Sequence, residues 1–67
     1  MSIDATPASE LLTIPEVADF LKVSVSLVRR LQQQRRIPFI KVGGSVRFER
    51  SDIDAYLKKR KVPSVGQ

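Results

Sequence analysis

Apolar residues recur at helical spacing in a segment that begins at Thr13. Thr13-Ile-Pro-Glu16 has the T-x-x-E form of a capping box, and Pro15 is tolerated in the first turn, where its missing N–H is not needed. The pattern predicts a short amphipathic helix that begins at Thr13 and ends near Lys22. One arc of this helix carries Ile14, Val17, Ala18, Phe20 and Leu21.

A second helical pattern follows after a short break. Ser24 is a suitable N-cap, and the predicted inward stripe contains Leu27, Val28 and Leu31. Ile37-Pro38 should end the helix, because a residue before proline is pushed out of the α region. At 100° per residue, the opposite side is polar and basic, with Arg30 on its flank. This side carries Ser26, Arg29, Gln33 and Arg36.

Residues 39–42 and 45–48 alternate with period two around Gly43-Gly44, which predicts a β-hairpin. A two-residue loop would set apolar residues opposite polar ones. A three-residue loop, residues 43–45, gathers the apolar residues on one face and is therefore the predicted register. It places Lys41 directly opposite Arg47, a like-charge pair that normally destabilises a sheet. An anionic partner would offset that cost; alternatively, the two side chains splay into water.

A third helix is predicted after the hairpin. Ser51-Asp-Ile-Asp54 has an N-cap signature with acids at the positive end of the helix dipole, and Ile53, Tyr56 and Leu57 form the inward stripe. The Lys58–Lys61 basic run is typical of a solvated helix end, but it could also contact phosphates or an acidic protein.

The predicted fold class is mostly α with a small β-hairpin, in the order helix-helix-hairpin-helix. Residues 1–11 lack periodicity and are expected to be a disordered lead, residues 12–62 the folded domain, and residues 63–67 a flexible tail. A chain of 67 residues forms one domain with a small core.

Composition narrows the function classes. The chain has no cysteine and no histidine, so it lacks the usual nucleophile–base pairs and the commonest metal ligands. We therefore expect no enzyme activity, no cofactor and no metal. The N-terminus contains no apolar run, which predicts neither a signal peptide nor a membrane anchor, and a cytoplasmic location is expected.

The charge distribution points to a polyanionic partner. Twelve Lys/Arg against seven Asp/Glu give a net charge of +5, and residues 1–13 contain only acids among their charged residues. The positive charge thus belongs to the predicted domain, which favours nucleic acid or an anionic membrane surface. A basic protein that is merely well solvated remains the alternative.

Residues 14–33 fit the spacing of a helix-turn-helix motif. Its apolar slots hold Val17, Leu21, Val23, Val28 and Leu31, and Ala18 occupies the slot where the helices cross closely. The turn slot, usually glycine, is Lys22. In such a motif the first helix braces the second so that its outer face enters the major groove. An αα-corner in a small helical domain is the alternative.

Two segments supply the candidate DNA-binding residues. The hydroxyls and the helix N-terminus suit phosphates, whereas the arginines could bond phosphate or read guanine, and Gln33 could read adenine or be solvated. The second helix supplies Ser24, Ser26, Arg29, Arg30 and Gln33. The hairpin supplies Lys41, Gly43, Gly44, Ser45 and Arg47.

Three strings, LLTIPEVADFLKVS, RRIPFIKVGGSVRF and RSDIDAYL, resemble the excisionase-like winged helix-turn-helix domains, relatives of the mercury-resistance-regulator (MerR) type. The resemblance covers about residues 11–62 and implies a major-groove helix and a wing on the adjacent backbone or minor groove. Relatives commonly have glycine where this chain has Arg35, so the second helix must end without a glycine cap or run longer.

The resemblance implies a sequence-specific protein that binds double-stranded DNA. As an excisionase, a recombination directionality factor, it would bend DNA near a recombination site, assist an integrase or other recombinase and bind adjacent sites through cooperative self-association. A small transcriptional regulator of a prophage or mobile element is the nearest alternative. A protein-interaction module, such as an antitoxin-like adaptor, and an RNA-binding protein are more distant ones.

Overall fold

The computed structural model describes residues 10–64. Residues 1–9 of the predicted lead and residues 65–67 of the predicted tail lie outside the described residues. The helices are α1 Ile14–Leu21, α2 Val25–Gln33 and α3 Arg50–Arg60. The strands are β1 Leu11–Leu12, β2 Ile40–Val42 and β3 Ser45–Glu49. The predicted winged helix-turn-helix is confirmed, with β1 as an addition, so ordered structure already includes Leu11.

The first two helices begin where the sequence predicts. Thr13 is the N-cap of α1, and the capping box is complete: the Glu16 N–H donates to Thr13 Oγ1 at 3.2 Å, and the Thr13 N–H donates to Glu16 Oε1 at 2.9 Å. Ser24 caps α2, where its Oγ accepts the Leu27 N–H at 3.1 Å. Each cap satisfies backbone donors that the helix itself leaves unpaired.

Helix α1 ends in a left-handed cap that carries a lysine. Lys22 has φ 61° and ψ 42°, and its N–H donates to the Asp19 carbonyl at 3.2 Å. The next N–H, of Val23, donates to the Ala18 carbonyl at 3.0 Å. This pair of bonds is a Schellman motif, which usually has glycine in the left-handed position.

Helix α2 ends in the same way and earlier than predicted. Arg35 has φ 57°, and its N–H donates to the Gln32 carbonyl at 3.0 Å. The Arg36 N–H donates to the Leu31 carbonyl at 2.9 Å. The prediction that Ile37-Pro38 ends the helix was therefore wrong: the chain leaves the helix after Gln33 because Arg35 adopts the left-handed conformation that glycine usually has after a helix end.

The strands form one antiparallel sheet in the order β1-β3-β2, and the predicted hairpin register was wrong. Ile40 lies opposite Arg47, and Val42 lies opposite Ser45. The loop is therefore the two-residue Gly43-Gly44, with φ +62° at Gly43. A two-residue turn matches the strand twist when its first central residue has a positive φ, which glycine allows.

The predicted register requires every apolar residue of the hairpin to face the core. Val46 and Phe48 of β3 do, but Ile40 and Val42 remain 38% and 53% exposed. Directly opposed residues share a face, so Lys41, opposite Val46, lies on the other face of the sheet from Arg47. The predicted Lys41–Arg47 cross-strand pair does not form.

Helix α3 also begins differently from the prediction. Its first residue is Arg50 and its N-cap is Glu49, which makes no side-chain capping bond. Ser51 lies inside the first turn because β3 continues into the helix without a connecting loop. The acid Asp52 still occupies the first turn, and Lys58, Lys59 and Arg60 occupy the last, as the helix dipole favours.

A single buried cluster contains residues from all three helices and from strands β1 and β3. Helix α1 packs on α2 and on β3, and α3 also packs on β3. Two residues assigned to inward stripes are exposed instead: Phe20 at 37% and Leu57 at 42%. The buried residues are Leu12, Val17, Ala18, Val28, Ile37, Phe48 and Ile53.

Candidate nucleic-acid interface

Helix α2 presents one polar face to solvent. Val28 is fully buried, and Leu27 and Leu31 are half-buried beneath the helix. The opposite side is exposed because residues at i, i+3, i+4 and i+7 share one face. It carries Ser26, Arg29, Arg30 and Gln33, all exposed as predicted. A helix of nine residues is about 13 Å long, comparable to the width of a major groove.

The N-terminal end of α2 adds anion-binding capacity. The Ser24 oxygen is used by the cap, but its hydroxyl hydrogen is still able to donate to a phosphate. Val25, which the sequence analysis did not single out, is 37% exposed and lies one turn before Arg29. Its position could have been read from the helical wheel, and an exposed methyl group there suits a thymine methyl.

The hairpin projects as a wing. Its tip residues Gly43, Gly44 and Ser45 are exposed, and a Cβ added at either glycine would have no neighbour within 4 Å. Lys41 is exposed, whereas Arg47 is half-buried and its Nη1 donates to the Val46 carbonyl at 2.9 Å. Gly43, Gly44 and Ser45 thus lie together at the tip, whereas Lys41 and Arg47 lie on opposite faces of the sheet.

One predicted member of the α2 face is displaced from it. Arg36 was expected on the polar side of the helix, but it follows the left-handed residue Arg35 and lies beyond the helical end. Its departure leaves Gln33 as the last exposed residue of that face.

The positive charges of this surface are not neutralised by nearby acids. Within residues 10–64, the ion pairs involve Arg50, which lies 3.8 Å from both Glu10 and Asp54. No carboxylate of this part of the chain pairs with Arg29, Arg30 or Lys41, so their full charge is available to an anionic ligand.

Residues 10–64 contain neither a metal-binding cluster nor a helix able to span a membrane. None of the described residues form a group of three or more His, Cys, Asp or Glu side chains able to hold a metal ion. Among helices α1 to α3, none has the length and apolar character needed to cross a membrane.

Comparison with known proteins identifies the domain. The family model of a helix-turn-helix domain matches residues 11–61, which include every described helix and strand. No curated protein and no solved structure matches the chain. The matched family is a DNA-binding one that includes excisionase-like proteins. With a braced helix, an exposed basic face and a glycine-tipped wing, this chain belongs to the helix-turn-helix domain family of DNA-binding proteins.

Proposed function

We propose that the chain reads a specific DNA site by placing α2 in the major groove and the hairpin on the adjacent backbone. The observation that carries this proposal is the exposed face of α2, on which Ser26, Arg29 and Arg30 lie together without an acidic partner among residues 10–64. Guanidinium groups bond guanine edges or phosphates, and short hydroxyls bond phosphates. Ser24, Gln33 and the exposed methyls of Val25 complete the proposed contact surface.

The wing contributes a different kind of contact. Gly43 and Gly44 carry no side chains, so the backbone of the tip is able to approach a phosphate chain closely. Ser45 and Lys41 are exposed beside the tip and suit phosphate oxygens. Arg47 would reach DNA by exchanging its bond to the Val46 carbonyl for one to a phosphate.

The biological role that we propose is that of an excisionase, without catalytic activity of its own. Such a factor binds near a recombination site, bends the duplex and assists an integrase. The matched family includes excisionase-like proteins, which supports this role, and a small transcriptional regulator of a prophage or mobile element is the alternative. Because a single small module contacts few base pairs, we also propose cooperative binding of several copies to adjacent sites.

Alanine substitutions of Arg29 and Arg47 test the assigned contacts. Arg29→Ala should cost about 1–3 kcal/mol at one base position and relax specificity there, because a bidentate contact to a base edge is lost. Arg47→Ala should weaken binding about equally for all sequences, because phosphate contacts carry no sequence information. Selection of bound sites from a randomised duplex library, followed by titration of the selected site and a scrambled one, measures both effects. Wild-type affinities for both variants would refute the proposed surface.

A second experiment addresses the biological role. Circular-permutation gel shifts with the selected site measure bending, and excision is assayed with the integrase encoded nearest to this gene. Bending together with stimulated excision supports the excisionase role. Binding that changes transcription from a neighbouring promoter, without an effect on excision, supports the regulator instead. Equal affinity for structured RNA of the same sequence would contradict duplex readout.

A further inference from the structure

A basic groove adjoins the surface described above and shares Lys41 with it. It is an open depression of about 590 Å³ between the segment that follows α2, the strand β2 and the last turn of α3. Ile37, Pro38 and Phe39 form its apolar floor. Its charged residues are all cations: Arg35, Arg36, Lys41 and Lys59.

The cations of the groove come from three separate elements. The sequence predicts Arg36 on α2, Lys41 opposite Arg47, and Lys59 in a basic run that is either solvated or in contact with phosphates or an acidic protein. The early end of α2 and the two-residue hairpin loop bring the first two to the same side of the molecule as Lys59. Asp52 lines a smaller adjoining depression with Arg36 and Lys59, but within residues 10–64 it forms no ion pair with either.

Arg35 occupies its position at a cost in stability. A left-handed conformation costs a residue with a Cβ about 1–2 kcal/mol, whereas glycine adopts it freely. Arg35 has φ 57° and makes no capping bond that glycine could not make, because the Schellman bonds use only its backbone. Strain of this kind at an exposed cation suggests that the side chain serves a ligand.

We infer that this groove binds the phosphate backbone of the same duplex, on the strand that flanks the major groove entered by α2. The inference rests on the proposed function and extends it to residues that neither the helix face nor the wing tip includes. The groove adjoins the C-terminal end of α2 and shares Lys41 with the wing, so one phosphate chain passes from the wing across Arg35 and Arg36 to Lys59. Four cations over an apolar floor suit phosphates, whose contacts release bound counterions.

Arg35→Gly gives the sharpest test, since its two effects have opposite signs. Relief of the left-handed strain should raise the melting temperature by a few degrees, because the larger backbone entropy that glycine loses on folding offsets only part of the gain. Loss of a phosphate contact should reduce the slope of log K against log salt concentration by about 0.9. The measurement uses fluorescence anisotropy with a mixed-sequence duplex of about 30 base pairs, which needs no knowledge of the specific site.

Lys59→Ala and Lys58→Ala form a matched pair. Both remove one exposed lysine from the last turn of α3, but only Lys59 lines the basic groove, whereas Lys58 lines a different depression with Leu57 and Lys61. Lys59→Ala should reduce the salt slope by about 0.9, and the double variant with Arg35→Gly by about 1.8. Lys58→Ala should retain the wild-type slope.

The outcomes separate the two proposals. If the wild-type chain binds the duplex while the Arg35→Gly and Lys59→Ala slopes equal those of wild type or of Lys58→Ala, the groove does not hold phosphates and the proposed function stands. If the wild-type chain binds no duplex at low salt, both proposals are overturned. A more stable Arg35→Gly variant with an unreduced slope also refutes the groove, because it shows an intact fold without the lost contact.

Discussion

Arg50 links three parts of the molecule. Its guanidinium carbon lies 4.4 Å from the centroid of the Phe20 ring, and its side chain lies 3.8 Å from Glu10 and from Asp54. Its backbone N–H donates to the Glu10 carbonyl at 2.8 Å. It therefore joins α1, the entry to β1 and α3, and it provides the exposed Phe20 ring with a contact at the surface.

Arg50→Ala should lower the free energy of unfolding by about 1–2 kcal/mol, chiefly through loss of the cation–π contact and of the packed side-chain stem. The two ion pairs are long and partly solvated, so they add little. Arg60→Ala is the matched control, since Arg60 stacks on Tyr56 at 4.6 Å at the exposed end of α3, and it should cost less than about 0.5 kcal/mol. Urea denaturation measures both, and equal losses would contradict the linking role of Arg50.

Left-handed residues show what sequence reasoning misses at this scale. Lys22 stands in a turn slot where glycine is usual, and Arg35 stands where the resemblance to excisionase-like domains implies a glycine. Both adopt positive φ regardless, at 61° and 57°. The sequence identified each as a departure from the pattern. It did not reveal whether the backbone would avoid the left-handed conformation at these positions or whether lysine and arginine would adopt it. The surrounding helices determine the path of the chain, and each residue adopts the strained conformation that this path requires.

At the scale of elements, short-range signals were the most predictive. The N-caps of α1 and α2 depend on side chains that bond backbone groups three residues away, so Thr13, Glu16 and Ser24 indicate them directly. The start of α3 was misplaced because Glu49 belongs at once to the sheet and to the helix, and the pairing of Leu11 with Glu49 is a long-range interaction. The prediction of the hairpin register was wrong for a related reason. The register depends on which residues of the two strands face the core, and this is set by long-range packing.

Alanine substitutions at the hairpin tip test the register. Gly43→Ala should destabilise the domain by about 1–2 kcal/mol because Gly43 has φ +62°. Gly44→Ala should cost much less, since its φ is not left-handed and an added Cβ meets nothing within 4 Å. A three-residue loop would instead place the left-handed residue at its last position, Ser45. Thermal denaturation in which Gly43→Ala matches wild type would favour that longer loop.

For the whole molecule, stability depends on one small core. A chain of 67 residues has a free energy of unfolding of about 3–10 kcal/mol on general grounds. Phe48 is the largest fully buried side chain, and its strand β3 contacts β1, β2, α1 and α3. Helix α2 is held by the same core through Val28, so the position of its exposed face depends on that core.

Phe48→Ala should therefore cost about 3–5 kcal/mol and leave much of the protein unfolded at 37 °C. Phe39→Ala is the comparison, because Phe39 is only half-buried at the margin of the core and should cost less. Far-UV circular dichroism followed with temperature measures both variants. Excess duplex should restore helical signal to Phe48→Ala, since a ligand that binds only the folded state stabilises it. A wild-type melting temperature for this variant would contradict the single-core description.

The candidate site shows the same division between local and long-range information. The exposed face of α2 follows from helical periodicity alone, and its residues could be named from the sequence. The basic groove could not be, because it is assembled from residues 35, 36, 41 and 59 by the end of one helix, the register of a hairpin and the packing of another helix. The packing of the whole molecule therefore gathers cations in a groove that the helical periodicity of the sequence does not predict.

The sheet order has a consequence for the protein when no DNA is bound. Because β3 lies between its neighbours, β2 is an edge strand, and no strand within residues 10–64 pairs with the outer row of its backbone groups, beside the exposed Ile40 and Val42. Such an edge is a template for strand pairing between molecules. Lys41, in the middle of β2, is the kind of charge that opposes this pairing. The residue that we assign to phosphate in the complex thus also keeps separate copies from aggregating through their wings.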